Sequence, residues 1–199
     1  QRYVDLIVND GVKETFLKRA TIIKTMRAVL DEAGYTEVET PILQSIPGGA
    51  SARPFITHHN SLDMDLYLRI ATELYLKRLI VGGFEGVYEI GKNFRNEGMD
   101  KNHNPEFTCM ELYVQYKDYN WMMGFTEKLL ERICIAVNGS TETTIDGKTI
   151  SFKAPYRRLP ILDAIKEKTG YDLNGKSEEE IRQVCRELKM EIDDTMGKG

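Results

Sequence analysis

Two strand-like runs, residues 86–95 and 106–116, are joined only by a polar loop from Asn96 to Pro105. Strands joined by so short a connection are predicted to pair in the antiparallel direction. Apolar periodicity predicts helices outside this pair, over residues 12–33, 72–81, 121–137, 160–169 and 177–190. The pattern therefore predicts an α+β fold, with a mostly antiparallel sheet flanked by helices.

The segment before this pair is predicted from its apolar spacing and its prolines. In the first helix, apolar residues recur at spacings of three and four and so share one face. These residues are Phe16, Ala20, Ile23, Met26, Leu30 and Ala33. A short strand from Tyr35 to Thr40 is expected to follow the helix, and residues 45–61 are predicted to form a loop.

Short polar motifs mark the expected boundaries of three later elements. Asn120 is placed to cap the helix at residues 121–137. Asp146-Gly147 is a favourable pair for a type I′ turn, which predicts a hairpin at residues 142–152. Ser177 and Glu180 have the spacing of a capping box for the last helix.

The composition argues against several classes of protein. The 199 residues carry a net charge of −4, so nucleic acid is not indicated as the dominant partner, although a local basic patch stays compatible. No apolar run is long enough to cross a membrane. The three cysteines form no C-x-x-C pair, which argues against a disulfide framework or a zinc site and favours the reducing cytoplasm. Because both ends look cut, we expect the parent chain to be longer.

One face of the second strand carries an unusual set of side chains. Successive residues of a strand point to opposite faces, so Phe107, Cys109, Glu111 and Tyr113 share a side. The alternate positions include Met110, Leu112 and Val114, and they form the natural core face. A ring, a carboxylate and a phenol on the opposite face suit a cleft, where a planar ligand stacks on Phe107 and a cation reaches Glu111 and Tyr113.

A charged segment at the end of the first strand suits an anionic ligand. Arg95 and Glu97 point to the same side by the same period of two. A guanidinium binds phosphate or carboxylate through two parallel hydrogen bonds, and His103 and Asn104 are placed to reach the far phosphates of a nucleotide. The alternative is a solvated hairpin with weak surface salt bridges; the set as a whole favours a ligand site.

Several strings of this sequence resemble class II aminoacyl-tRNA synthetases. Phe-Arg-Asn-Glu at residues 94–97, the charged loop, and His-Asn-Pro-Glu-Phe-Thr at residues 103–108 resemble motif 2, about residues 86–116. Residues 33–43 resemble part of motif 1, about residues 18–43. The strings at residues 47–59 and 68–77 are similar to the substrate-covering loop and the following helix of the lysine-specific members. The resemblance covers most of residues 1–155 and implies the catalytic fold of that class.

The resemblance implies a subsite for lysine. The backbone of Gly49 and the carboxylate of Glu73 would hold the α-amino group, and Glu111 and Tyr113 would receive the ε-ammonium. Arg95 would be the catalytic residue, because it would bridge the lysine carboxylate and the α-phosphate of ATP.

The resemblance also implies a subsite for ATP, which is a substrate here. Glu97 would contact the adenine amino group, Phe107 would stack on the adenine, and Arg95, His103 and Asn104 would lie near the phosphates. The implied reaction forms lysyl-adenylate and pyrophosphate, and the lysyl group then passes to the 3′ end of tRNA(Lys).

Departures from the family pattern limit what this chain is expected to do alone. Thr72 stands where many members have proline, and we expect it to cap the following helix. Motif 3, with its ATP-gripping arginine, has no match before Gly199. The magnesium expected in the full-length enzyme would be held by residues outside this chain, so no metal ligand is expected within it.

These departures lead to three expectations. The chain is interpreted as a partial class II catalytic domain over residues 1–199, with residues 156–199 as a helical, insertion-like segment. We expect the fragment alone to form little or no adenylate. We expect the parent to be a homodimer through the motif 1 region.

Three functions are compatible with these observations. The first is a lysine–tRNA ligase, and the second is a synthetase paralogue that lysylates a translation elongation factor. The third is a non-catalytic, truncated module that dimerises or binds a partner. The intact set of charged and aromatic site residues favours the first, because a pure binding module would not need them together.

Overall fold

The computed structural model describes residues 2–198 of the chain, which contain both helices and strands. The described contacts form two units with a boundary after Ala154. The helices of the first unit are α1 (Arg2–Val8), α2 (Val12–Glu32), α3 (Glu73–Val81) and α4 (Tyr119–Asn138). Its strands are β1 (Thr36–Glu37), β2 (Leu43–Gln44), β3 (Ile56–His59), β4 (Met64–Leu68), β5 (Gly86–Phe94), β6 (Glu106–Val114), β7 (Glu142–Ile145) and β8 (Lys148–Ser151). The second unit contains α5 (Ile161–Thr169) and α6 (Glu178–Glu187).

The central sheet has the order β1-β5-β6. Strands β5 and β6 pair in the antiparallel direction along their full length, and β1 joins β5 in parallel. A second antiparallel sheet has the order β2-β4-β3, and β7 and β8 form a separate hairpin. The prediction of an α+β fold rich in antiparallel pairing is therefore confirmed.

The core lies on one side of the central sheet. Leu30, Tyr35 and Tyr88 form its buried centre. The partly buried side chains around it are Ile90, Met110, Leu112, Val114, Trp121 and Phe125. The apolar face of β6 is thus the core face, as the alternation predicted, and the face that carries Glu111 lies on the opposite side of the sheet.

Helix α2 has nearly the predicted length, but only part of its apolar face is buried. Val29 and Leu30 are buried, whereas Phe16 is 47% exposed and Ala20 and Ala33 are also exposed. Periodicity identifies residues that share a face, but burial also needs an element packed against that face. The apolar side of the N-terminal half of α2 is left open within the described residues.

Three local predictions before residue 121 were wrong or incomplete. The strand expected at residues 35–40 is reduced to Thr36–Glu37. The loop expected at residues 45–61 contains β3, which pairs with β4. Helix α4 is capped by Asp118, whose side chain accepts the Trp121 N–H, and not by Asn120. An aspartate is as good a cap as an asparagine, so a boundary error of two residues changed the assignment.

Turn and cap chemistry was predicted correctly in the C-terminal third. Asp146 and Gly147 have φ values of 49° and 76°, as the two positions of a type I′ turn require. Ser177 and Glu180 form both hydrogen bonds of the capping box. No helix within residues 2–198 is long and apolar enough to cross a membrane.

Candidate active site

A cavity of about 250 Å³ opens where β5 ends and β6 begins. The residues predicted for ATP all line it: Arg95, Glu97, His103, Asn104 and Phe107. They come from both sides of the connecting loop, and the antiparallel register brings them together because Asn93 pairs with Phe107. The cavity therefore combines an aromatic ring with charged and amide groups.

The guanidinium of Arg95 lies over the ring of Phe107 at the wall of this cavity. The guanidinium carbon is 5.2 Å from the ring centroid of Phe107, and the backbone N–H of Arg95 donates to the carbonyl oxygen of Pro105 at 2.8 Å. The side-chain Nε of Arg95 is buried and has no hydrogen-bond partner within residues 2–198. A buried donor without a partner is costly, so this guanidinium suits an anion that accepts from it.

Glu97 connects the cavity to the loop that resembles a substrate cover. Its carboxylate accepts the backbone N–H of Arg53 at 3.1 Å. The carbonyl oxygen of Arg53 in turn accepts the N–H of Asn96 at 2.8 Å. The position of the 47–55 segment is thus tied to the end of β5, where Arg95 lies.

Asp100 orders the loop that carries His103. Its carboxylate accepts the backbone N–H groups of Asn102 and His103 at 2.7 and 2.8 Å and contacts the His103 ring at 2.9 Å. The N–H of Asn102 and then the His103 ring lower the pKa of Asp100 below its ordinary value. His103 is thus held by an acidic partner at the edge of the cavity.

Glu111 occupies the middle of the same sheet face and is held at both oxygens. The Tyr113 hydroxyl donates to one oxygen at 3.1 Å, and the backbone N–H of Thr72 donates to the other at 3.4 Å. Burial and then the charge of Glu111 raise the pKa of Tyr113. The phenol therefore stays protonated at neutral pH and remains a donor to Glu111.

The predicted cap at Thr72 is not formed. The Thr72 side chain makes no capping hydrogen bond to α3, and its hydroxyl oxygen is buried without a partner among the described residues. The backbone N–H is what serves the site, since it donates to Glu111. A proline at this position would lack that donor.

Gly49 and Glu73 lie in direct contact, as their predicted shared role requires. Gly49 has a φ of 87°, and an added Cβ would lie 3.0 Å from the Cβ of Glu73 and 3.1 Å from that of Ala71. Only glycine suits both this backbone conformation and this space. The Glu73 carboxylate also accepts from Lys77 at 2.6 Å, so Lys77 is a cation beside the predicted lysine subsite.

Two site residues were not singled out from the sequence. Arg69 and Glu89 form an ion pair with side chains 2% and 4% exposed. One signal in β5 was Gly91: an added Cβ there would lie 2.3 Å from Nη2 of Arg69. A glycine inside a strand often marks a place where another group approaches the backbone closely.

No group of three or more His, Cys, Asp or Glu side chains among residues 2–198 is arranged to hold a metal ion.

The thiol of Cys109 is expected to react slowly with iodoacetamide at neutral pH. Burial, and then the charge of Glu111, raise its pKa, and these effects outweigh the opposing influence of Arg95 and Arg69. The thiolate is the reactive form, so alkylation should be about tenfold or more slower in the native protein than in urea, where the sulfur is accessible and ionises normally. Mass spectrometry of the peptide that contains Cys109 measures both rates, and equal rates would contradict the prediction.

The fold, the cavity and the side chains on the sheet face together define a class of protein. The family model for tRNA synthetases class II (D, K and N) matches residues 1–194, and the chain belongs to this family.

Curated relatives show which members of this family the chain is similar to. The chain is 65% identical over all of its 199 residues to a lysine–tRNA ligase of Porphyromonas gingivalis, of which it covers 34%. It is 65% identical to a lysine–tRNA ligase of Christiangramia forsetii, covering 35% of that protein. It is 63% identical to a lysine–tRNA ligase of Azobacteroides pseudotrichonymphae, covering 40%. In each case the whole of this chain is matched, and it spans little more than a third of the relative's length.

Proposed function

We propose that these residues form part of the catalytic domain of a lysine–tRNA ligase. The enzyme would activate lysine with ATP and transfer it to the 3′ end of tRNA(Lys). One observation carries the proposal: a single sheet face presents the carboxylate of Glu111 with its donor Tyr113, the cationic Arg95 and the ring of Phe107. Lysine–tRNA ligases at 63–65% identity over the whole chain support the choice of amino acid.

The acidic end of the face is the proposed lysine subsite. Glu111 would receive the ε-ammonium of lysine, with Tyr113 keeping the carboxylate oriented through its hydroxyl. Gly49 and Glu73 would hold the α-ammonium. Because Glu73 already accepts from Lys77, the substrate α-ammonium would share or replace that ion pair.

The other end of the face is the proposed nucleotide subsite. Phe107 would stack on the adenine, Glu97 would accept from its amino group, and His103 and Asn104 would contact the phosphates. All four residues line the same cavity as Arg95. Arg95 would then lie between the two subsites, where the lysine carboxylate meets the α-phosphate.

The proposed first step is an in-line displacement. A carboxylate oxygen of lysine forms a bond to the α-phosphorus as the bond to the pyrophosphate oxygen breaks, which gives lysyl-adenylate and pyrophosphate. Arg95 would align the two anionic groups and stabilise the charge that develops on the α-phosphate oxygens. The 3′-terminal ribose hydroxyl of tRNA(Lys) would then attack the lysyl carbonyl and release AMP.

Titration of adenylate analogues tests the amino-acid assignment. Non-hydrolysable lysyl-, aspartyl- and asparaginyl-adenylate analogues are titrated into this chain by calorimetry. Binding of the lysyl analogue alone is expected, and binding of either other analogue instead would overturn the assignment. If none binds, the titration is repeated on the full-length protein, where failure of the lysyl analogue to bind would also overturn the amino-acid assignment.

A separate assay distinguishes the ligase from a paralogue that lysylates an elongation factor. Only the ligase is expected to charge tRNA(Lys).

We propose that residues 1–199 alone form little or no adenylate. The motivation is that motif 3, with its ATP-gripping arginine, has no match in this sequence. Lysine-dependent exchange of pyrophosphate into ATP measures the activity. Robust exchange by the purified fragment would contradict this proposal without touching the amino-acid assignment.

We propose a homodimer through the motif 1 region. Apolar side chains of residues 12–43, the helix and strand region that includes motif 1, are left exposed among the described residues. They are Phe16, Leu17, Ile42 and Leu43, at 43–58% exposure. Large apolar side chains left exposed in this way are available to an interface.

Replacing both Phe16 and Leu17 with aspartate is expected to convert the dimer into a monomer, because the interface would then have to bury unpaired charges from both copies. Multi-angle light scattering of the full-length protein at micromolar concentration measures the change. Ile145→Asp is the matched control, since Ile145 is 55% exposed on the separate β7–β8 hairpin. A variant that stays dimeric would place the interface elsewhere.

We place the enzyme in the cytoplasm, which the three free cysteines support.

The residue 156–199 segment is proposed to be an insertion into the catalytic domain. Its two helices, α5 and α6, belong to a unit with its own contacts.

A further inference from the structure

A buried ionic cluster lies on the same sheet face as the proposed lysine subsite. Nη1 of Arg69 donates to Oε1 of Glu89, and the Thr40 hydroxyl donates to the other oxygen of Glu89 at 2.6 Å. Nη1 also donates to the Thr40 hydroxyl at 3.2 Å. The three groups thus form a closed ring of hydrogen bonds, with Arg69 2% and Glu89 3% exposed.

Glu89 is the direct cross-strand neighbour of Glu111. Residues paired in this way project on the same face with Cβ atoms roughly 5 Å apart, and like charges at such positions repel. Arg69 supplies the compensating charge to Glu89. Glu111 accepts instead from two neutral donors, the Tyr113 hydroxyl and the Thr72 N–H, so its charge is the one left for a ligand.

Arg69 is fixed by contacts that tie two distant segments together. Its Nε donates to the Lys92 carbonyl at 2.8 Å, and its backbone oxygen accepts the Phe94 N–H at 2.9 Å. Its backbone N–H donates to the Ile42 carbonyl at 2.9 Å. The guanidinium lies over Gly91, where an added Cβ would approach Nη2 to 2.3 Å. The cation is therefore built into this position and is not a mobile surface charge.

We infer that Arg69 is a positioning residue for the amino-acid site: it neutralises Glu89 so that, of this cross-strand pair, only Glu111 presents negative charge to the ε-ammonium of the bound lysine. The inference rests on the proposed function. Without Arg69, two adjacent carboxylates would share the face, and such a pair holds on to a proton at higher pH than one carboxylate does. Ammonium binding would then have to expel that proton.

Other charged and titratable groups face this region from each element around it. They are Cys109 and Tyr113 on β6, Glu73 and Lys77 on α3, and Arg95 after β5. None of these residues is substituted in the variants below. Loss of Arg69 would raise the pKa of Cys109 further, away from the acid limb of the profile, so that limb reports on the Arg69–Glu89 pair and Glu111.

The test measures the pH dependence of kcat/KM for lysine in the full-length ligase. In Arg69→Met, the acid limb of the profile is expected to move up by about one pH unit or more, and calorimetry should show proton release when lysine binds. Arg69→Met/Glu89→Gln removes the second carboxylate and should return the limb to the wild-type position. Arg69→Lys keeps the charge and should also keep the wild-type limb.

Each outcome has a separate meaning. A residue that only stabilises the fold would lower the melting temperature without moving the limb, and an unmoved limb in Arg69→Met would overturn the inference. An acid limb that stays at the higher pH in Arg69→Met/Glu89→Gln would overturn it as well. If Arg69→Met does not fold, Arg69→Gln, which keeps an N–H donor without the positive charge, takes its place, and an unmoved limb there overturns the inference in the same way. The wild-type enzyme is assayed first, and if it does not activate lysine, the proposed function itself is wrong.

Discussion

Replacing Arg95 with lysine is expected to lower kcat/KM for lysine activation in the full-length ligase by about a hundred- to a thousandfold, the usual effect of removing a donor to developing charge. Lysine keeps the positive charge but loses the planar, two-point geometry of the guanidinium. It also loses the contact between the guanidinium and the ring of Phe107. Lysine-dependent exchange between pyrophosphate and ATP is the measurement.

Arg132→Lys is the matched control for that substitution. Arg132 lies on α4 of the same unit and makes an exposed ion pair with Glu32. Exposed pairs contribute little, so activity should stay within about twofold of wild type. If Arg95→Lys is as active as this control, Arg95 is not the group that binds the lysine carboxylate and the α-phosphate.

Replacing Glu111 with glutamine is expected to weaken binding of the lysyl-adenylate analogue by at least about thirtyfold, because a buried charge pair loses one partner. Glutamine has nearly the same shape and still accepts the Tyr113 hydroxyl, so the site should keep its form. What disappears is the negative charge that faces the ε-ammonium. Calorimetric titration of the full-length protein measures the loss.

Glu106→Gln provides the matched control on the same strand. Glu106 is exposed and pairs with Lys92 at 3.3 Å, so its loss should change analogue affinity by less than about threefold. ATP binding should be unchanged in both variants, because Phe107 and Arg95 are untouched. If Glu111→Gln binds the analogue as tightly as Glu106→Gln does, the ε-ammonium is held elsewhere.

Regular elements with strong local signals were predictable from the sequence. Strands β5 and β6 were predicted to within two residues, since a period of two is imposed by strand geometry itself. The same period correctly separated the core face of β6 from the face that carries Glu111. The turn at Asp146-Gly147 followed from the backbone angles that those residue types tolerate.

Elements whose formation depends on a distant partner were missed. Strand β3 lies inside the segment that the sequence predicts as loop. Its four residues pair with β4 and have mostly exposed side chains, so no apolar alternation marks the strand. Helix α1 was not predicted, and none of its residues is buried. The apolar spacing in α2 identified a shared face but not that only its C-terminal part, near Leu30, is buried, because the spacing carries no information about where a neighbouring helix packs.

The sequence by itself determined the class of fold and which side chains of β6 share the cleft face, because these follow from local periodicity. Only the tertiary structure decided that Arg69 and Glu89 pair on that face, that Gly49 touches Glu73, and that Thr72 serves Glu111 through its backbone. Each of these contacts joins residues about 20 or more positions apart in sequence. Such contacts depend on how whole elements pack, and packing is settled by the combined burial and hydrogen bonding of all of them.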